Sequence, residues 1–170
     1  MKTYHRLLLA GLFLGVVASV SVAASSTVLD VGARYHQKHS EFAELPYDDG
    51  DLTYALGYEI HEENMMLQLV CGFTPENDAM DYGITPEANL LLKDRLLQGG
   101  VGVLSTYKSL EDGDSEWMDL YYQFILGLNL PLGNRLTLQA NAYYVFDSWN
   151  DIGDFDAGDI EFGGFLGLKF

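Results

Sequence analysis

What covalent chemistry this chain of 170 residues could support turns on a handful of side chains. A hydrolase needs an imidazole, a hydroxyl and an acid converging near one surface. His36 and His61 fall at opposite ends of alternating segments and on the inward-facing side of each, while Ser105 is the main serine of the outer side. No histidine is offered to it there, so the expectation is that the protein is not an enzyme. His36 and His39 are three residues apart but share no helix face, which makes a poor metal pair. Gly99-Gly100-Val101-Gly102 has neither the helix nor the lysine of a phosphate loop. Neither cofactor nor metal is expected. Cys71 is the only cysteine, so no internal disulfide can form. Oxygen-rich clusters occur at Asp48, Asp49 and Asp51; at Glu76, Asp78 and Asp81; at Glu111, Asp112, Asp114 and Glu116; and at Asp151, Asp154 and Asp156. None has a defined calcium-loop spacing. They read as a solvated acidic rim to which divalent cations could bind.

The first 24 residues read as a removable leader rather than a structural element. Lys2, His5 and Arg6 precede an apolar run from Leu7 to Val22, and Ala23 and Ala24 close a small-residue cleavage site. This divides the chain into a signal peptide, 1–24, and a single domain, 25–170. Losing Lys2 and Arg6 with the leader removes no acid, so the formal charge moves from −16 to −18. Such a surface repels nucleic acid and attracts cations or basic partners.

The domain shows alternation and no long helical stripe. Leu29, Val31, Ala33 and Tyr35 interleave with Asp30, Gly32, Arg34 and His36; Leu67, Leu69, Cys71 and Phe73 interleave with Gln68, Val70, Gly72 and Thr74. Period two puts each set on one face of a strand. Eight such segments follow one another, with a fourth from about Ile84 to Leu92 and a fifth from about Leu96 to Lys108. In the fifth, Leu96 and Leu104 point inward by parity. Most segments run to about 9–11 residues or more, the length that crosses a bilayer at a tilt. Tight turns at Glu62-Glu63-Asn64, Lys93-Asp94-Arg95 and Pro131–Asn134 alternate with long acidic connections at 37–50, 76–83, 109–116 and 148–157. Tyr35, Phe73, Tyr107, Tyr144 and Phe146 gather near the long connections, Tyr58 and Phe170 near the tight turns. This is the layout of an all-β, eight-stranded antiparallel transmembrane barrel with short periplasmic turns, longer acidic extracellular loops and two aromatic girdles.

A barrel of eight strands has an interior that side chains can fill. The inward set supplies a lumen network of Arg34, Glu59, Asp119, Arg135, Asp159, Glu161 and Lys169, with Gln68, Lys108, Gln123, Asn129, Gln139 and Asn141 among them. Closure makes the first and last segments neighbours. Arg34 and Glu161 then lie at similar depth and should pair, with Asp159 or Asp119 sharing the guanidinium.

The last segment, Ile160–Phe170, resembles the C-terminal insertion signal of bacterial outer-membrane proteins, with Phe162, Leu166, Leu168 and the final Phe170 as its pattern. The whole layout resembles the small barrels of the OmpA transmembrane-domain, OmpX and OmpW type. That resemblance implies an outer-membrane location, contact with membrane lipid and lipopolysaccharide, and handling by the barrel-assembly machinery. In OmpA-like proteins a peptidoglycan-binding domain follows the barrel; with the sequence stopping at Phe170, none is expected here. The function expected is a structural or surface-interaction role with a plugged polar lumen. A small porin-like channel is the second reading. A lipid A-modifying enzyme, an activity some barrels of this size have, is the third.

Overall fold

The computed structural model describes residues 26–37, 45–110, 114–149 and 157–170. The leader, His39, Glu111, Asp112, Asp151, Asp154 and Asp156 lie outside the described residues.

The described chain forms ten strands: β1 (Ser26–Tyr35), β2 (Leu52–Glu62), β3 (Met65–Thr74), β4 (Tyr82–Asp94), β5 (Leu97–Leu104), β6 (Tyr107–Ser109), β7 (Ser115–Trp117), β8 (Tyr121–Leu132), β9 (Leu136–Phe146) and β10 (Ile160–Lys169). Four of them make two barrel staves. β5 and β6 pair with β4 in one unbroken register, from Asp94↔Leu97 to Tyr82↔Ser109. The ladder is interrupted at Pro86, which has no N–H to offer Ser105. β7 and β8 are likewise successive parts of one stave, but three residues, 118–120, separate them opposite two, Ser105 and Thr106. The extra residue is a bulge, and it shifts inward–outward parity by one.

Every stave is antiparallel to its neighbours, and β1 closes on β10 from Val28↔Lys169 to Tyr35↔Phe162. The result is a closed barrel of eight staves. A closed sheet leaves no strand edge unpaired, which is the condition for crossing lipid with strands. The tight turns cluster at one end, with Glu63, Arg95 and Gly133 taking positive φ of 23°, 54° and 87°. The turn between β4 and β5 is Arg95-Leu96, one residue later than the sequence suggests, so Leu96 stands exposed in it rather than pointing inward. The opposite end carries the long loops. Part of the loop before β4 is fixed by an Asn77↔Met80 bridge.

Alternation fixes the two faces. Leu29, Val31, Tyr54, Leu56, Cys71, Leu90, Val101, Leu126 and Leu138 are exposed on the outer wall. Ile60 shares their parity but is buried. The aromatic girdle at the long-loop end is a packed cluster. Phe146 is covered by Tyr122, Phe124, Tyr144 and Trp149, with ring centroids 5.1–5.9 Å away. The interior is not wholly polar. Met66, Val70, Leu91, Ile125, Tyr143 and Phe165 form one buried apolar group, and Leu104, Tyr121 and Val145 another.

Candidate functional site

The inward polar side chains form a connected network. At the long-loop end Arg34 is its hub. Its Nε donates to Glu161, and its Nη1 donates to Glu87 (3.2 Å) and Gln123 (3.1 Å). Its guanidinium lies 4.1 Å over the Tyr143 ring. Arginine suits this place because its planar fork bonds in several directions while its face stacks on an aromatic ring. His36 donates from Nδ1 to Glu161 (2.7 Å) and meets the Thr53 hydroxyl through Nε2 (2.7 Å); Thr53 in turn meets Thr74 (2.6 Å).

Above this layer the loop after β1 turns back into the barrel mouth. Tyr47 stacks on His36 at 3.9 Å, and its hydroxyl bonds Thr85 (2.6 Å) and Thr106 (2.9 Å). Burial pushes the Tyr47 phenol above its ordinary range.

At the short-turn end the hub is Glu59. It accepts from His61 (2.7 Å), Gln68 (3.0 Å) and Gln139 (2.7 Å), and Lys93 donates to the other nitrogen of His61 (2.8 Å). Amides join the two hubs. Gln123 donates to Asn89 (2.7 Å), Asn89 to Gln68 (3.0 Å), and Gln68 to Glu59. These residues follow one row across the wall: Glu59↔Gln68↔Asn89↔Gly102↔Gln123. A second amide group, in which Gln98 donates to Gln139 and Asn141 and Asn129 donates to Gln98, spans β5, β8 and β9.

The structure places Arg34, Glu59, Asp159 and Glu161 inside, and it brings Arg34 and Glu161 together. It excludes three residues expected in the lumen. Asp119 is exposed in the segment that carries the bulge, where period-two counting slips by one. Arg135 is exposed in the turn before β9, not within that strand. Lys169 has inward parity but stands exposed at the last position of β10, beyond the packed section. The partner that shares the guanidinium is Glu87, not Asp119. Glu87 was legible, since it alternates with Ala88 on β4, but the sequence places that strand's boundary loosely. Asp30, His36, His61 and Tyr143 are further buried members. Phe162, Leu166, Leu168 and Phe170 all face outward. Of the loop acids that are described, Asp48, Asp49 and Asp114 are exposed, while Asp51 is half-buried and accepts from Asn77 (2.6 Å).

One cluster has the connectivity of a hydrolytic triad. Thr53, His36 and Glu161 are linked hydroxyl to imidazole to carboxylate. Its surroundings enclose it. All three are at most 3% exposed, Thr53 is also tied to Thr74, and Tyr47 covers the imidazole. Among the described residues there is no group of three or more His, Cys, Asp or Glu arranged to hold a metal.

No family model matches the chain, and no curated protein does. Solved structures do. The N-terminal β-barrel domain of Pseudomonas aeruginosa OprF superposes with a TM-score of 0.59 at 11% identity, covering 86% of this chain and 98% of that one. Neisserial surface protein A gives a TM-score of 0.49 at 10% identity over 84% of this chain and 94% of its own. Ail, the attachment invasion locus protein of Yersinia pestis, gives 0.43 at 14% identity over 86% and 99%. At such identities likeness speaks to fold alone, and with the observed closure it identifies this chain as a small eight-stranded antiparallel barrel of the outer-membrane type.

Proposed function

We propose that the protein is an exported outer-membrane barrel that anchors and seals, and that its acidic loops are the working surface. The observation that carries this reading is the lumen. Hydrogen bonds run from Tyr47 and His36 at one end to Glu59, His61 and Lys93 at the other, and apolar groups fill the spaces between. Charges taken out of water need partners. Here the partners come from opposite walls, so satisfying them closes the passage. On this reading the barrel performs no catalysis, and it enters the membrane through the assembly machinery, which reads the outward Phe162, Leu166, Leu168 and Phe170.

The outer surface carries Asp48, Asp49 and Asp114 exposed. Those groups suit basic partners, or divalent cations that bridge them to lipopolysaccharide phosphates. The deciding measurement is conductance of the refolded protein in planar bilayers. A sealed barrel gives no stable channel steps. Steady ohmic channels from the unmutated protein would replace this reading with the porin-like one. The surface role is read from magnesium-dependent binding of lipopolysaccharide, which should weaken in Asp48→Asn/Asp49→Asn/Asp114→Asn and disappear with a chelator.

A further inference from the structure

One carboxylate in the lumen receives no hydrogen-bond donor from the network. Asp30 is completely buried, yet no donor meets either of its oxygens, and the carboxyl of Glu59 lies beside it. The hydroxyl of Thr137, two strands away, is also buried and without a hydrogen bond. Between them in register lies Gly167, paired to Asp30 on one side and Thr137 on the other, and Gly57 flanks Asp30 on its second side. A Cβ at position 167 would collide with Asp30 Oδ1 and with Thr137 Oγ1 alike. The two oxygens therefore face one spot over the glycine. At Gly57 a Cβ would stand 3.3 Å from Asp30 Oδ2. Glu59 is the charged neighbour of Asp30, close enough for the two carboxyls to share one ion or one proton, and it also accepts from His61, Gln68 and Gln139.

A shared proton would satisfy one oxygen of Asp30 and leave the other, and Thr137, unanswered. A bridging water would leave two adjacent carboxylates without added positive charge. A cation over Gly167 answers Asp30 Oδ1, Thr137 Oγ1 and the charge together. The donors are carboxylate and hydroxyl oxygens, with no thiolate or free imidazole, which is the preference of hard cations. We infer that Asp30 and Thr137, with Glu59 alongside, form a lumen site for a hard cation of calcium's size. Calcium bonds oxygen at about 2.3–2.6 Å and tolerates irregular, partly hydrated shells, whereas magnesium demands a near-ideal octahedron. Sodium offers the same oxygen chemistry at a single charge.

The test uses the full chain refolded in detergent, stripped with a chelator and held in choline chloride. Thermal unfolding is followed by gel mobility and tryptophan fluorescence while calcium chloride or sodium chloride is titrated. The midpoint should rise and saturate with one of the two salts, and which one identifies the ion. Asp30→Asn should abolish the rise while unfolding no earlier than the unmutated protein in choline. Thr137→Val, which keeps the carboxylate, should shift the titration to higher concentration, and Asp48→Asn/Asp49→Asn should leave it unchanged. The inference is overturned if Asp30→Asn retains the full rise, since the rim acids would then be responsible. It is equally overturned if neither salt acts and only acidification raises the midpoint, since Asp30 and Glu59 would then share a proton.

Discussion

Replacing Arg34 by methionine strikes the lumen network at its most charged point. The substitution keeps much of the aliphatic stem and removes every bond to Glu161, Glu87 and Gln123, along with the stacking on Tyr143. Glu161 then keeps His36, and Glu87 keeps Gln123 at 2.9 Å, but neither keeps its cation. Arg34 is 5% exposed and Glu161 0%. If the lumen is sealed as proposed, removing one member of so buried a pair costs about 3–5 kcal/mol, against about 0–1 kcal/mol where water reaches the pair. Glu161→Gln should cost less, about 1–3 kcal/mol, because it leaves the guanidinium still paired with Glu87. The double variant should fall short of the sum, since the second change removes a group the first has already stranded. Urea unfolding of the vesicle-refolded protein, read by the fluorescence of Trp117 and Trp149, supplies the four free energies of the cycle. Single effects near 1 kcal/mol that add, together with channel steps from the unmutated protein, would refute the dry-lumen reasoning.

Four further outcomes follow from the same structure. Cys71 is exposed on the outer wall near the middle of its stave, so it should resist a charged, impermeant maleimide in intact membranes and react once the barrel is denatured. Deleting Phe170, 71% exposed after the alternating apolar pattern, should lower the yield of heat-modifiable barrel, and a normal yield would show the pattern to be incidental. Tyr47 has its ionisation raised in the fold, so the stability it lends is complete below the ordinary phenol value of about 10 and is lost as pH rises through its higher native value. Tyr47→Phe should therefore flatten part of the alkaline fall in unfolding free energy, and an unchanged slope would exclude it as a source. Gly102→Ala should cost about 1–3 kcal/mol by overpacking, because a Cβ there collides with Asn89 Oδ1; a neutral result would mean the amide row has slack.

The two faces of the wall were legible because the pleat has a period of two and lipid tolerates little else on its side. The closing pair was legible for the same reason: once eight staves are counted, β1 and β10 must meet, and depth counted from their ends sets Arg34 beside Glu161. Counting fails where the ladder is irregular. One inserted residue between β7 and β8 moved Asp119 out of the lumen, and no composition signal marks it. Arg135 and Lys169 fail differently. Their parity suits the interior, but the packed section ends before them, and alternation carries no information about depth. The inward fold of Tyr47 is a tertiary event within an acidic loop, and nothing local announces it.

The amide row shows how a lumen can be closed without many ions. Neighbouring inward positions on one row are spaced by the strand separation, too far for two short amides to touch across an intervening side chain. Asn89 and Gln123 touch because the position between them is Gly102. Gln98 and Asn141 touch across Gly127 in the same way, and a Cβ at Gly127 would collide with Asn141 Oδ1. The glycine removes a side chain from a section that has room for only so many, and the amide leans over the backbone it exposes. An amide has donors and an acceptor and no charge, so each link satisfies a neighbour without adding a desolvated ion. The ionised groups can then be confined to two hubs, one near each mouth. On the sealed-barrel proposal, closure of the lumen rests on the spacing of its glycines as much as on its charges.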